Sequence, residues 1–171
     1  MLFPADIVAE AEAVLTAFRA RGLKIATAES CTGGLLAGAL TEIAGSSDVL
    51  DRGFVTYSNE AKIKTLGVSL DVLETFGAVS VAVAWAMAQG AIARSDADVA
   101  VGITGIAGPG GGSDRKPVGT VVFALARRGQ SEKDVVADTR VFEGLDRTGV
   151  RLQAVRVALE LLASVTRVSD A

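Results

Sequence analysis

Hydrophobic residues recur at helical spacing in two long segments, one near each end of the chain. In residues 5–21 the apolar positions lie three or four residues apart, and Gly22 follows where a helix C-cap glycine belongs. Residues 146–165 show a second amphipathic pattern of the same kind. Between them, further helices are predicted for residues 35–43, for residues 59–66 capped by Asn59 and ended by Gly67, for a short segment from Asp71, and for residues 80–94 capped by Ser80.

Short apolar runs separate these helical segments and predict strands. They cover residues 23–28, 51–57, 98–104, 119–126 and 135–142. Residues 98–104 are almost continuously apolar, as in a buried parallel strand, and Gly53 indicates a bulge or a close approach. Because helices and strands alternate, we predict an α/β fold over residues 1–171, with one mixed, mostly parallel sheet between two helical layers. The last two strands should pair antiparallel because no helix separates them.

Composition narrows the chemistry that this single predicted domain can perform. Its 171 residues, half of them hydrophobic, can form a packed core, and a net charge of −3 argues against a general nucleic-acid binder. The sequence has no histidine, which excludes His-based triads and His-ligated metals, and its one cysteine, Cys31, excludes internal disulfides. We therefore expect no metal and no cofactor.

Cysteine usage and hydropathy also bear on location. A lone cysteine fits a reducing cytoplasm, and the acidic N-terminal segment does not resemble a signal peptide. The longest uncharged run, residues 75–93, is interrupted by Gly77, Ser80 and Gly90. We expect it to form a buried helix rather than a membrane span.

The first candidate functional segment is Glu29-Ser30-Cys31-Thr32-Gly33-Gly34, which joins a strand to a helix. In α/β sheets, ligands bind beyond the carboxyl ends of strands, and the free N–H groups of a helix start favour an oxyanion. Ser30 and Cys31 are both potential nucleophiles. The alternative is a tight turn in which Ser30 only caps the helix.

The second candidate segment contains Tyr57, the one tyrosine of the chain, and Lys62 on the next predicted helix. A serine without histidine needs another base, and a neutral lysine can serve if burial lowers its pKa. The alternative is a solvated helix start on which Lys62 and Lys64 are ordinary surface residues.

The third candidate segment is a loop with five glycines in eight positions, Gly105, Gly108, Gly110, Gly111 and Gly112, directly after Thr104. It can present several N–H groups to an anion, although it matches neither the P-loop nor the dinucleotide-binding pattern. Lys116, Arg147 or Arg151 can add positive charge. The alternatives are a flexible connection and a solvated helix face.

Four segments in order resemble the CinA C-terminal domain family over about residues 5–163. They read AESCTGGLLAGALTEIAGSS, GFVTYSNEAKIKTLGV, GAVS and VGITGIAGPGGGSDRKPVGTV. Standalone members of the family look like nicotinamide-nucleotide amidases. The resemblance implies a three-layer α/β/α sandwich that hydrolyses nicotinamide mononucleotide to nicotinate mononucleotide and ammonia. It implies Ser30 as nucleophile, Lys62 as base and Tyr57 beside them.

The resemblance also suggests how the substrate is held and where this chain departs from its family. The remaining substrate contacts expected from it are Glu29, Cys31, Thr32, Gly33, Gly34, Thr104, Gly105, Gly108, Gly110, Gly111 and Arg147. Full-length CinA proteins have an N-terminal domain that we do not expect here. The Phe142–Arg147 segment has one residue more than the family pattern of phenylalanine, glycine and arginine, so the resemblance does not assign the substrate phosphate to Arg147 or Arg151. We expect a homo-oligomer of unspecified size.

Three alternatives to a serine amidase remain at this point. Cys31 can replace Ser30 as nucleophile, since a thiolate is the stronger nucleophile at neutral pH. The chain can instead be a nucleotide-binding regulatory module, or a structural partner-binding protein linked to competence or DNA damage. Ammonia release from the nucleotide separates an enzyme from the last two.

Overall fold

A five-stranded sheet organises residues 1–167, the part of the chain that the computed structural model describes. The strands are β1 (Ile25–Glu29), β2 (Leu50–Val55), β3 (Val99–Gly105), β4 (Thr120–Arg127) and β5 (Val136–Val141), in the order β2-β1-β3-β4-β5. β1 pairs parallel with β2 and β3, whereas β4 is antiparallel to both its neighbours. Only β4 runs against the other strands, so the predicted mixed, mostly parallel sheet is confirmed.

Helices cover both faces of the sheet. They are α1 (Ala5–Ala20), α2 (Leu35–Thr41), α3 (Asn59–Leu66), α4 (Leu70–Phe76), α5 (Val81–Ala93) and α6 (Arg147–Thr166). α1, α2 and α6 pack on one face around Phe18 and Phe123, and α3, α4 and α5 pack on the other around Met87. The predicted three-layer α/β/α architecture is confirmed. Within the described range, every helix is too short or too polar to cross a membrane.

Helix ends follow local sequence signals with one exception. Ser80 caps α5 as predicted, its hydroxyl accepting from the backbone N–H of Val83 at 3.2 Å. The prediction that Asn59 caps α3 is wrong. Ser58 has the extended backbone of an N-cap and accepts from Ala61 N at 3.0 Å, so Asn59 is already the first helical residue.

Glycines let helices lie directly on the strands that lead to the site. A Cβ at Gly53 would lie 2.9 Å from Thr27 Oγ1, so the predicted close approach is confirmed. The strand pairing of β1 and β2 is irregular at Asp51 and not at Gly53. A Cβ at Gly102 would lie 2.3 Å from the carbonyl oxygen of Ala84. Only a residue without a side chain lets α5 approach β3 this closely.

Candidate active site

Ser30 lies at the carboxyl end of β1, in the turn that enters α2. Its backbone N–H donates to Ile103 O at 2.9 Å, which continues the pairing with β3 beyond Glu29. Its side chain is almost buried, with 7% exposed. Gly33 and Gly34 complete the turn with φ of 58° and 94°, a left-handed conformation that glycine adopts without a steric penalty. The local sequence thereby holds Ser30 at the sheet edge where α/β proteins place their ligands.

The carboxylate of Glu29 fixes the start of α2 from inside. One oxygen accepts from Thr32 Oγ1 at 2.7 Å and Leu36 N at 2.9 Å. The other accepts from Ala37 N at 3.1 Å and Thr27 Oγ1 at 3.3 Å. Glu29 is completely buried. It therefore takes the place of a side-chain cap for α2 and is turned away from the space in front of Ser30.

Arg151 of α6 holds the same turn from the opposite side. Its Nε donates to Cys31 O, and its Nη2 donates to Thr32 O, each at 3.1 Å. Because the C=O and N–H of a trans peptide point in opposite directions, binding Cys31 O turns the Thr32 N–H away from Arg151. The N–H groups of Cys31 and Thr32 donate to no protein oxygen in residues 1–167. Of the two residues, only Cys31 lines the space in front of Ser30, because Thr32 is completely buried.

Lys62 approaches Ser30 from α3. Its Nζ lies 2.9 Å from Ser30 Oγ and donates to Thr56 O at 3.0 Å. The side chain is 2% exposed and forms no ion pair in the described part of the chain. Burial lowers the pKa of Lys62 below its usual value, opposed by the nearby Cys31 sulfur. The shift is toward the neutral amine, which is the form that a general base requires.

Cys31 is placed less favourably for nucleophilic attack. Its thiol is 5% exposed, and burial raises its pKa to about 11. The backbone N–H of Cys31 opposes this rise in pKa, the Glu29 charge adds to it, and Arg151 and Lys62 oppose it by smaller amounts. Near neutral pH the thiol keeps its proton, and Lys62 Nζ contacts Ser30 rather than Cys31. The geometry favours Ser30 as the activated group.

A cavity of about 280 Å³ lies in front of Ser30. It is lined by Ser30, Cys31, Tyr57, Gly105, Ile106, Ala107, Gly108, Gly110, Gly111 and Arg147. Arg147 donates to Gly108 O at 2.7 Å and to the Tyr57 hydroxyl at 2.5 Å. Tyr57, which we expected beside Lys62, is 58% exposed and bonds to Arg147 instead.

The glycine loop forms one wall of this cavity and presents free N–H groups there. The N–H groups of Gly108, Gly110 and Gly111 donate to no protein oxygen within residues 1–167. The guanidinium of Arg147 adjoins them at Gly108. Free N–H donors and a positive charge along one wall suit a phosphate or carboxylate. Within residues 1–167, no cluster of three or more Cys, Asp or Glu side chains is placed to hold a metal ion.

Several predicted contact residues lie behind or beside the cavity. Thr32 and Thr104 are buried, and the Thr104 hydroxyl donates to Ala78 O at 2.8 Å. Gly33 and Gly34 line a neighbouring, largely apolar cavity of about 670 Å³ that does not include Ser30. Lys116 donates to Phe76 O and does not line the cavity at Ser30. With Glu29, these residues support the site instead of facing its contents.

Sequence reasoning missed two features of the site. Thr56 supplies the carbonyl that holds Lys62, and no side-chain signal marks a backbone acceptor. The spacing of Arg151 from Arg147 predicts a shared helix face that meets a phosphate, a carboxylate or solvent, and it does not show that this face meets backbone carbonyls. The Cys31 and Thr32 carbonyls that it binds are more than 100 residues away in the chain.

Comparisons with known proteins agree with this geometry. The CinA C-terminal domain family matches residues 8–166. Nicotinamide-nucleotide amidohydrolase PncC of Escherichia coli K12 is 50% identical over 158 residues, covering 92% of this chain and 93% of that protein. A CinA-like protein of Syntrophobacter fumaroxidans is 54% identical over 84% of this chain but only 33% of its own length. This chain spans about a third of such longer curated relatives.

A solved structure shows the same fold. The crystal structure of competence/damage inducible protein CihA from Agrobacterium tumefaciens superposes with a TM-score of 0.93 at 53% sequence identity. The match covers 98% of this chain and 99% of that one. The layers and strand order described above are therefore those of a known structural family.

Proposed function

This chain belongs to the CinA C-terminal domain family, and we propose that it hydrolyses nicotinamide mononucleotide to nicotinate mononucleotide and ammonia. The observation that carries the proposal is the 2.9 Å contact between Lys62 Nζ and Ser30 Oγ at the floor of a cavity walled by the glycine loop. The name of the E. coli relative, which matches almost end to end, supports the same reaction.

In the first half of the proposed reaction, Ser30 Oγ attacks the carboxamide carbon. Neutral Lys62 takes the hydroxyl proton as the C–O bond forms. The carbonyl oxygen becomes an oxyanion, which the free N–H group of Cys31 is positioned to stabilise. When the C–N bond breaks, Lys62 returns the proton to the leaving nitrogen, and ammonia departs from an acyl-Ser30 ester.

The second half reverses these roles with water. A water molecule attacks the ester carbon and gives a proton to Lys62, and the same N–H donor holds the second oxyanion. Collapse breaks the bond to Ser30 Oγ, which regains its proton from Lys62. The nicotinate carboxylate is released, and the two residues return to their starting states.

We propose that the glycine loop and Arg147 hold the ribose phosphate. The carboxamide is small and neutral, so it contributes little binding energy, and remote contacts must position it against Ser30. Tyr57 orients the Arg147 guanidinium through the 2.5 Å hydrogen bond to its hydroxyl. The phosphate then lies at the cavity mouth and the carboxamide at its floor.

The wider setting of this activity is also a proposal. We propose one amidohydrolase domain over residues 1–171, a pyridine nucleotide as its small-molecule partner, and a cytoplasmic location without nucleic-acid or membrane binding. We also propose that the chain acts as a homo-oligomer. The exposed edge of the sheet at β5 supports self-association.

Two matched substitutions at the floor of the cavity test the proposed nucleophile. Ser30→Ala should abolish ammonia release from nicotinamide mononucleotide while the nucleotide still binds, because the hydroxyl is lost and the phosphate wall is untouched. Cys31→Ser should keep substantial activity, since its thiol stays protonated. Ammonia release and calorimetric binding are measured for both. An active Ser30→Ala together with an inactive Cys31→Ser would assign the reaction to Cys31.

A further inference from the structure

The edge strand β5 is exposed to an unusual degree for a strand of this sheet. Five of its six residues are exposed, and both of its faces are largely uncovered by helices. Val135, Val136 and Val141 have exposed fractions of 42%, 40% and 45%. The strand contains no proline or lysine, two residues that commonly protect an edge from pairing, and its charged residues are Asp138 and Arg140. β5 thus offers apolar side chains and a free edge together.

The hydrogen bonds at the end of β5 show which backbone groups point outward. Phe142 N donates to Gly119 O at 2.9 Å, so the residue after β5 directs its backbone toward the β4 side. Because the direction alternates along an antiparallel strand, Asp138 and Arg140 also face β4, where they lie opposite Phe123 and Val121. Ala137, Thr139 and Val141 therefore present their N–H and C=O groups at the free edge.

The sequence of β5 is complementary to itself when read in the opposite direction. If two copies pair antiparallel with Thr139 opposite Thr139, then Ala137 faces the partner's Val141 and Asp138 faces the partner's Arg140. The residues with outward backbone groups then meet one another, as hydrogen-bonded pairs require. Small and apolar residues meet across the axis, and the charges meet as opposites.

We propose that a second copy of this chain adds its β5 antiparallel to β5 about a two-fold axis at Thr139, joining the two sheets into one of ten strands. Within one chain, Arg140 Nε already bonds Asp138 Oδ2 at 2.8 Å, with 48% and 31% of these side chains exposed. Two such pairs, placed head to tail across the axis, form a four-charge cluster. This charge complementarity identifies a second copy as the occupant of the edge.

Charge reversal tests the register as well as the dimer. D138R gives a strand with two arginines and R140D one with two aspartates, so each alone places like charges opposite each other. Each should raise the dimer Kd on the order of 10- to 100-fold. The double variant D138R/R140D restores both pairs and should dimerise like the wild type. An equimolar mixture of the two single variants should form a heterodimer, because every facing pair is again opposite in charge.

A backbone test is independent of charge. T139P removes the central outward N–H, which is not bonded to β4, and should weaken the dimer, whereas T139V keeps it and should not. Sedimentation analysis over a range of concentrations measures the association, and thermal unfolding by circular dichroism confirms that each variant is folded. A wild type that stays monomeric throughout, a dimer indifferent to the charge reversals, or single variants that fail to combine when mixed would each overturn the proposal.

Discussion

Replacing Glu29 by glutamine should destabilise the protein and slow catalysis without weakening nucleotide binding. The carboxylate accepts Leu36 N on one oxygen and Ala37 N on the other. An amide of nearly the same shape has a single acceptor oxygen. In either orientation its NH₂ group faces one of these two backbone donors, and that donor loses its partner: either Leu36 N, which is buried, or Ala37 N, which is partly buried.

The size of the loss follows from these contacts. A buried donor left unpaired costs about 1–3 kcal/mol, and the surviving bonds no longer have a charged acceptor. We expect Glu29→Gln to lower the free energy of unfolding by about 3 kcal/mol. For a chain of this length, that corresponds to a Tm lower by roughly 6–12 °C. Because the same turn carries the Cys31 donor, kcat should fall, whereas KM should change little since Arg147 is elsewhere.

Calorimetry and steady-state ammonia release measure the two effects on the same preparations. Glu160→Gln is the matched control, because Glu160 is exposed on α6 and an amide there should change stability by less than about 0.5 kcal/mol. A Glu29→Gln Tm within about 2 °C of the wild type, a shift under ~1 kcal/mol on the same scale, would refute the capping role of Glu29. A raised KM with unchanged kcat would refute its link to the catalytic turn.

The remaining predictions concern the base and the phosphate. Lys62→Ala should reduce kcat as severely as loss of Ser30, because the two act as a unit, whereas Lys64→Ala should be mild, since Lys64 is exposed and pairs with Glu60 at 2.7 Å. Equal losses at both lysines would indicate general electrostatics. Protonated Lys62 cannot accept the serine proton, so kcat should rise with pH as Lys62 loses its proton. Because the pKa of Lys62 is lowered, the midpoint of this rise should lie below the ~10.4 of free lysine. A midpoint at or above that value would contradict a buried base. Nicotinamide riboside, which lacks the phosphate, should have a kcat/KM lower by on the order of 10²-fold, and Arg147→Met should lower kcat/KM for the nucleotide far more than for the riboside. Similar kcat/KM values for the nucleotide and the riboside would contradict the placement of the phosphate at this wall.

The elements of the fold could be predicted because their signals are local. Gly22 follows α1 with a φ of 65°, and Ser80 caps α5. Each of these helix ends could be predicted from a few neighbouring residues. The Ser58-Asn59 pair shows the limit of this reasoning. Both residue types cap helices well, and only the backbone conformation, extended at Ser58, decides between them.

The candidate site could be predicted in its parts but not in its assembly. The resemblance to the family implies roles for Ser30 and Lys62, but from spacing alone two lysines two residues apart look alike until α3 packs and buries one of them. The role of Glu29 needed the first turn of α2 to fold back over it. Side chains that meet only through tertiary packing have no fixed separation in the sequence, so their contacts could not be predicted from spacing.

The burial of Cys31 makes it a built-in reporter of motion at the site. It is the chain's single cysteine, it is 5% exposed, and it adjoins Ser30 at the cavity floor. Because so little of it is exposed, a thiol reagent should react faster when the turn between β1 and α2 opens, so the labelling rate reports that local opening. No engineered label is needed, and a ligand that fills the cavity over Cys31 should slow its labelling.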